Sequence, residues 1–320
     1  MRAVQVVELT GPEHVEVRDV PEPTPGPDDV LVEVHAAGVS FPDLLLSRGE
    51  YQLKPEPPFT LGVDFAGTVV SGGGFEPGQR VAGVNGWGGA GELVANPSDS
   101  TFALPDAMSF EEGAALPMNY LTAHFALVER AQVRPEETVL VHGAAGGVGT
   151  ATIQVARGYD ARTIAVVSTD EKAELARAAG ADETVLVEGF KDQVRDLTGG
   201  KGVDIVLDVV GGPVFTDSLR CLATQGRLLV VGFASGQGIP EVKVNRLLLN
   251  NIDVRGVGWG AYAMVRPGYM QEQWKALVPL MENGTIKPPI GRSYALDEFG
   301  DALVDMDQRR TLGKSVVRVR

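Results

Sequence analysis

From Thr138 onward the sequence repeats one pattern: a short apolar run, a turn, then a helix-like segment. TVLVHG leads into GVGTATIQVARG, TIAVVS into DEKAELARAAG, ETVLV into FKDQVRDLTG, and VDIVLDVV into PVFTDSLRCLAT; GRLLVVG leads into a stretch that ends at VNRLLLNN before the strand IDVRGVG. The apolar runs are near-continuous instead of alternating, which is the pattern of strands covered on both faces. Strands alternating with covering helices predict a parallel, doubly wound sheet of about six strands.

The first strand of that series ends in VHGAAGGVG, residues 141–149. Glycines that follow a strand and open a helix can be nothing more than a tight turn. Their position in the first βα unit instead predicts a dinucleotide pyrophosphate resting on the N–H groups of a helix N-terminus. Gly146 falls where backbone must approach phosphate, and Gly149 where helix and strand must pack closely. Ala144 stands where the commonest version has its first glycine. At the end of the second strand an NAD-binding chain usually carries Asp or Glu on the ribose 2′-hydroxyl. This chain reads AVVSTDEK, with Ser168 at that point and Lys172 four residues later. A hydroxyl and an ammonium suit a 2′-phosphate that a carboxylate would repel, so NADPH is the expected cofactor.

At 320 residues the chain is too long for one ordinary core and suits two domains. The first hundred residues alternate short strand-like runs (AVQVVEL, HVEVRDV, VLVEVHAAGV, DFAGTVV, QRVAGV) with Gly and Pro turns, predicting a compact β-rich unit. SFEEGAAL, from Ser109, carries the spacing of a helix capping box. After Gly260 come EQWKALVPLMENG, YALDEFGDALVDMDQRR and a final strand, SVVRVR. The six-strand sheet is complete by then, so these elements are expected to rejoin the N-terminal domain.

A formal net charge of −14 repels phosphate backbones and anionic lipid, which argues against nucleic acid and membrane partners. No window approaches the ~18 consecutive apolar residues of a membrane span. MRAVQVVEL reads as a first strand and not as a signal or transit peptide, so a cytoplasmic protein is expected. Cys221 is the single cysteine, and His14, His35, His124 and His142 are the four histidines. None of them forms a ligand cluster in sequence, and no metal is expected.

Together these residues resemble the zinc-independent medium-chain dehydrogenases/reductases, in particular the NADPH:quinone oxidoreductase, or zeta-crystallin-like, branch. The resemblance covers nearly the whole chain, through VLVEVHAAGVSFPDLLLSRGEY, GVDFAGTV, ALPMNYLTAHFAL, VLVHGAAGGVG, AELARAAGAD, RLLVVGF and TLGKSVV. Where zinc-dependent relatives place a Cys and a Gly-His-Glu, this chain has Gly38-Val39-Ser40 and Leu61-Gly62-Val63-Asp64. Ser40 also replaces the Asn that usually opens the SFPD-type motif, and Val187 stands where a Tyr or His often packs near the adenine.

The resemblance implies an α/β chain: a GroES-like, β-rich catalytic domain from residues 1–120 and 262–320, and a Rossmann doubly wound parallel sheet domain from residues 121–261, with NADPH in the cleft. It implies that Phe41 to Leu45 and Tyr51 lie near the nicotinamide and Thr122 near its carboxamide. Ala145, Gly146, Gly147 and Val148 would hold the pyrophosphate, and Ser168 with Lys172 the 2′-phosphate. Gly232, Phe233, Gly258 and Trp259 would line the cofactor cleft, and Arg309 would supply a basic contact. Each has a plainer reading: Tyr51 can close a turn, Trp259 can be core, and Arg309 can end a solvated helix. Hydride would go to a small-molecule electrophile, a quinone or the β-carbon of an enone, with Tyr51 as the one candidate for orienting it or relaying a proton. An enoyl thioester reductase and a non-catalytic, crystallin-like NADPH-binding protein are the alternatives. A homodimer through IDVRGVG is implied as well.

Overall fold

Residues 29–38, DVLVEVHAAG, alternate in a way that makes a strand bury one face: Val30, Val32 and Val34 are fully buried, whereas Leu31, Glu33 and His35, next to them in sequence, are not. In the computed structural model, which describes residues 1–320, this strand is the centre of the first of two units, made of residues 1–119, 267–282 and 288–320. Its elements begin with β1 (Arg2–Val6), β2 (Val15–Asp19), β3 (Asp29–Gly38), α1 (Phe41–Ser47), β4 (Phe59–Thr60), β5 (Asp64–Gly72), β6 (Arg80–Val84), β7 (Leu93–Pro97), β8 (Thr101–Ala103) and α2 (Phe110–Ala115). β1 pairs antiparallel with β2 on one side and β4 on the other, while β3, β5, β6 and β8 follow one another across a larger sheet and β7 also pairs with β3. The valines of β3 pack with Leu44, Leu46, Phe59, Phe65 and Phe299 in one core. Ser109 caps α2 as its spacing predicts: its hydroxyl accepts from Glu112 N at 3.1 Å, and Glu112 accepts from Ser109 N at 2.7 Å.

The second unit holds residues 120–266 and 283–287. α3 (Pro117–His124) runs into a π-helical turn, Phe125–Ala131, after which strands and helices alternate: β9 (Thr138–His142), α4 (Gly147–Gly158), β10 (Arg162–Val167), α5 (Asp170–Ala178), β11 (Glu183–Leu186), α6 (Phe190–Leu197), β12 (Val203–Asp208), α7 (Pro213–Cys221), β13 (Leu222–Val230), α8 (Asn245–Asn250), β14 (Asp253–Gly256) and α9 (Trp259–Ala263). The sheet has six strands, all in parallel pairing, in the order β11-β10-β9-β12-β13-β14. The chain builds outward from β9 to β11 and then returns to place β12 on the other side of β9. That reversal opens a crevice at the carboxyl ends of β9, β10 and β12, the general ligand position of such sheets. Buried Arg227 on β13 braces the opposite end: it bonds Glu137 at 2.6 and 2.8 Å and the Ala131 carbonyl at 2.9 Å, which ties the π-helical turn to the sheet.

The tail is α10 (Tyr269–Glu282), β15 (Ile290–Ala295), α11 (Phe299–Asp307) and β16 (Lys314–Arg318). β16 inserts between β15 and β3, so the last strand completes the first sheet, as a closed six-strand sheet requires. Trp274 on α10 donates to Ala103 O at 3.0 Å and stacks on Phe102. Compared with the expected boundary at residue 261, the second unit continues to Arg266 and takes in the short stretch 283–287. The reason is local: Gln154 of α4 donates to Lys287 O at 2.8 Å and accepts from Lys287 N at 2.9 Å. No helix of the chain is long and apolar enough to cross a membrane.

Candidate functional site

In the second unit the turn after β9 is built by three glycines with different tasks. Gly143 takes φ +63° and Gly146 N donates to its carbonyl at 2.9 Å, closing the turn. A Cβ on Gly149 would stand 2.2 Å from Gly143 O and 2.7 Å from Ala144 Cα, so only glycine lets α4 start this close to the strand. A Cβ on Gly146 would meet only Gly143 O, at 3.3 Å, and would otherwise project into open space. Gly147, Val148 and Gly149 begin α4, and the N–H groups of a first turn have no helical acceptors. They make a positively polarised turn of the kind that suits an anion. The departure at Ala144 is harmless because Gly143 supplies the left-handed residue of the turn, leaving Ala144 buried with ordinary backbone.

Ser168 and Lys172 come together as the spacing predicts. β10 ends at Val167, and Thr169 caps α5 by accepting from Lys172 N at 3.3 Å. The first turn of α5 then brings Lys172 Nζ within 3.3 Å of Ser168 Oγ. Gly232 and exposed Phe233 follow β13, and Gly258 follows β14, on the same carboxyl edge. Thr122 lies nearly buried on α3. Trp259 opens α9 and is only 5% exposed, so its ring belongs mainly to the core of the unit.

Asp208, which sequence reasoning passed over, organises this edge. Its carboxylate accepts from Val210 N at 2.8 Å and Gly211 N at 2.9 Å, and its carbonyl accepts from Val231 N at 2.9 Å. Ala234 N and Ser235 N then donate to the carbonyls of Val209 and Val210. The loops after β12 and β13 are thereby one hydrogen-bonded rim. Burial raises the Asp208 pKa while the two amides act against that. An Asp at a strand end followed by VVGG was the available signal.

In the first unit Phe41 is the first residue of α1 and is exposed, and Tyr51 follows α1, half-buried against the core. Burial, and secondarily the charge of Asp43, raises the Tyr51 pKa, so its hydroxyl stays protonated and able to donate near neutral pH. Arg309 is exposed beyond α11 and holds a left-handed backbone, φ +58°. Beneath α1 lies a cluster absent from the sequence reading. Lys314 Nζ donates to Asp64 Oδ2 at 2.8 Å and to Ser40 Oγ at 2.5 Å, and Ser40 Oγ donates to Asp64 Oδ2 at 2.8 Å. Fully buried Asp43 accepts from Ser40 N at 3.0 Å and Gly62 N at 2.9 Å. Burial pushes its carboxyl up to about 7.

No group of three His, Cys, Asp or Glu side chains stands close enough to hold a metal ion. His142 is buried in β9 with Nε2 2.7 Å from Ser218 Oγ, and His124 approaches Tyr159 at 3.1 Å; burial lowers both pKa values to about 4. Cys221 is buried, its thiol pushed up to about 12.

A parallel six-stranded unit with a glycine cradle at its reversal point, joined in one chain to an antiparallel β unit that takes back the C-terminal strand, defines a two-domain dehydrogenase/reductase architecture. Residues 26–106 match the family described as alcohol dehydrogenase GroES-like domain, and residues 147–283 match that described as zinc-binding dehydrogenase. The chain is 37% identical over 326 residues to quinone oxidoreductase-like protein 2 of Rattus norvegicus, covering 100% of this chain and 92% of that protein. Among solved structures, a probable oxidoreductase from Mycobacterium abscessus superposes with a TM-score of 0.91 at 43% identity, over 100% of this chain and 99% of the other. The quinone oxidoreductase of Escherichia coli, solved in complex with NADPH, gives 0.91 at 28% identity over 100% of both chains. The chain belongs to the quinone oxidoreductase branch of the medium-chain dehydrogenase/reductase family.

Proposed function

We propose that this protein is an NADPH-dependent oxidoreductase that reduces a quinone or another electron-poor α,β-unsaturated carbonyl without a metal ion. The observation that carries the reading is the pairing of Lys172 Nζ with Ser168 Oγ at the end of β10. An ammonium and a hydroxyl offer charge-assisted donors to a 2′-phosphate where a carboxylate would reject it. The glycine cradle supports the same reading, because a Cβ on Gly146 would fill the space a diphosphate needs. When bound, NADPH supplies a hydride. The first-turn amides of α4 bind the diphosphate, the Asp208 rim keeps the loops after β12 and β13 in one arrangement, and Tyr51 offers a protonated hydroxyl to orient a carbonyl oxygen. An acceptor that spreads its own developing charge asks no more of the protein than this.

The NADPH complex of the Escherichia coli relative supports the cofactor, and the relatives named quinone oxidoreductase support the acceptor class. A homodimer fits the surface of the second unit: β14 is an edge strand, and neighbouring α8 exposes Leu248 and Leu249 at 76% and 73%. Sedimentation velocity tests that assembly, and a monomer at micromolar concentration removes it.

The test of the function is NADPH oxidation against a panel of quinones, enones and enoyl thioesters, for the natural chain and for Ser168→Asp. Turnover with a quinone or enone is expected, with the substitution weakening NADPH at least tenfold more than NADH. Cofactor binding with no turnover on any acceptor would favour a non-catalytic NADPH-binding protein, and equal losses for both cofactors would overturn the 2′-phosphate assignment.

A further inference from the structure

The most deeply buried ion pair of the chain has no part in that reading. The side chains of Lys314 and Asp64 are 5% and 0% exposed. Their contacts converge on one place. Lys314, from β16, reaches Ser40 at the start of α1, and Asp64, from β5, takes the Ser40 hydroxyl on one oxygen and the Met118 N–H, at 2.8 Å, on the other. Asp43, inside the first turn of α1, binds the Ser40 amide and reaches back to Gly62, two residues before β5. Gly38 makes room for the arrangement: a Cβ there would lie 3.0 Å from Lys314 Cε and 2.1 Å from Ala114 O.

Taking an ammonium and a carboxylate out of water is costly, and apolar residues of similar volume often serve stability as well. Cohesion alone therefore does not account for the pair. The donor set does not suit a divalent metal either. Ser40 and Asp64 are both occupied by the ammonium, Val63 beside them has no ligating atom, and a dication could not share Asp64 with Lys314.

We propose that Lys314 is a positioning residue: a built-in cation that fixes the start of α1, and through it the segment from Phe41 to Tyr51. The inference rests on the reading above that this segment serves the acceptor. It does not touch the cofactor cradle, whose groups all lie in the other unit.

The test compares the full chain with Lys314→Met, and with Lys314→Met combined with Asp64→Leu, which removes the stranded carboxylate and protects against a variant that merely fails to fold. Amide hydrogen exchange at residues 40–47, NADPH Kd, kcat and KM for the acceptor, melting temperature and metal content are measured. Expected are exchange at least tenfold faster at residues 40–47 and kcat at least tenfold lower, with NADPH Kd within twofold of the natural chain. The double variant recovers melting temperature but neither slow exchange nor kcat. Unchanged exchange in Lys314→Met, recovery of kcat together with melting temperature in the double variant, or a stoichiometric metal in the natural chain would overturn the proposal. If the natural chain turns over no acceptor, the functional reading fails, and the exchange data still decide this one.

Discussion

Two glycines three residues apart should fail in different ways when given the same methyl group. In Gly149→Ala the new Cβ would stand 2.2 Å from Gly143 O and 2.7 Å from Ala144 Cα, all backbone that cannot rotate away. The first turn of α4 must retreat by about 1 Å to reach ordinary contact. Overpacking of this kind costs about 1–3 kcal/mol, which for a domain of this size lowers Tm by roughly 2–12 °C. In Gly146→Ala the only close atom is Gly143 O at 3.3 Å, and the backbone at φ −90°, ψ 176° suits any residue. The fold should tolerate it at less than about 1 kcal/mol, yet the methyl projects where a diphosphate must come closest to the backbone. Losing one or two charged hydrogen bonds, at about 1.5–3 kcal/mol each, weakens NADPH by a factor of roughly ten or more. Differential scanning fluorimetry and NADPH fluorescence titration separate the two effects. Gly149→Ala is expected to lose both stability and affinity, and Gly146→Ala affinity alone. A Gly146→Ala protein that binds NADPH within twofold of the natural chain would refute the cradle.

Tyr51→Phe removes the one hydroxyl proposed to orient the acceptor, so kcat for an enone should fall while NADPH Kd holds; an unchanged kcat/KM in steady-state assays removes Tyr51 from that role. His142 and His124 are held neutral by burial, with pKa values near 4 against 6.5 in the unfolded chain. Because the folded values are depressed, the unfolded state binds the extra protons between these limits. Stability is full above pH 6.5 and declines as pH falls toward 4, by up to about 3 kcal/mol for each histidine. Urea unfolding of the chain and of His142→Gln across pH 4–7 checks this, and the same slope in both would exclude His142 as a source.

The local geometry of the turn after β9 was legible before any coordinate, because such a turn is made by neighbours. Gly146, Gly149, Ser168 and Lys172 lie within one βαβ run, and their spacing alone sets which of them meet. The capping box at Ser109 followed from an equally local rule, and the return of the tail from a second sheet already complete without it. Counting glycines did not reveal which residue of the turn takes positive φ; that residue is Gly143, and Ala144 keeps an ordinary backbone. Gln154 could not be foreseen as the clasp on residues 283–287, since its partner Lys287 is 133 residues away.

Periodicity and glycine spacing determined that this chain forms a doubly wound parallel sheet with a glycine turn that opens a helix after its first strand, because hydrophobic burial and backbone sterics act over a few residues. Only the tertiary structure decided which charges meet beneath α1. Ser40, Asp64 and Lys314 are separated by as many as 274 residues and share no motif, and only the pairing of β16 with β3 brings the ammonium to the carboxylate. Charge pairing of this kind depends on distance in space, which a linear pattern does not contain.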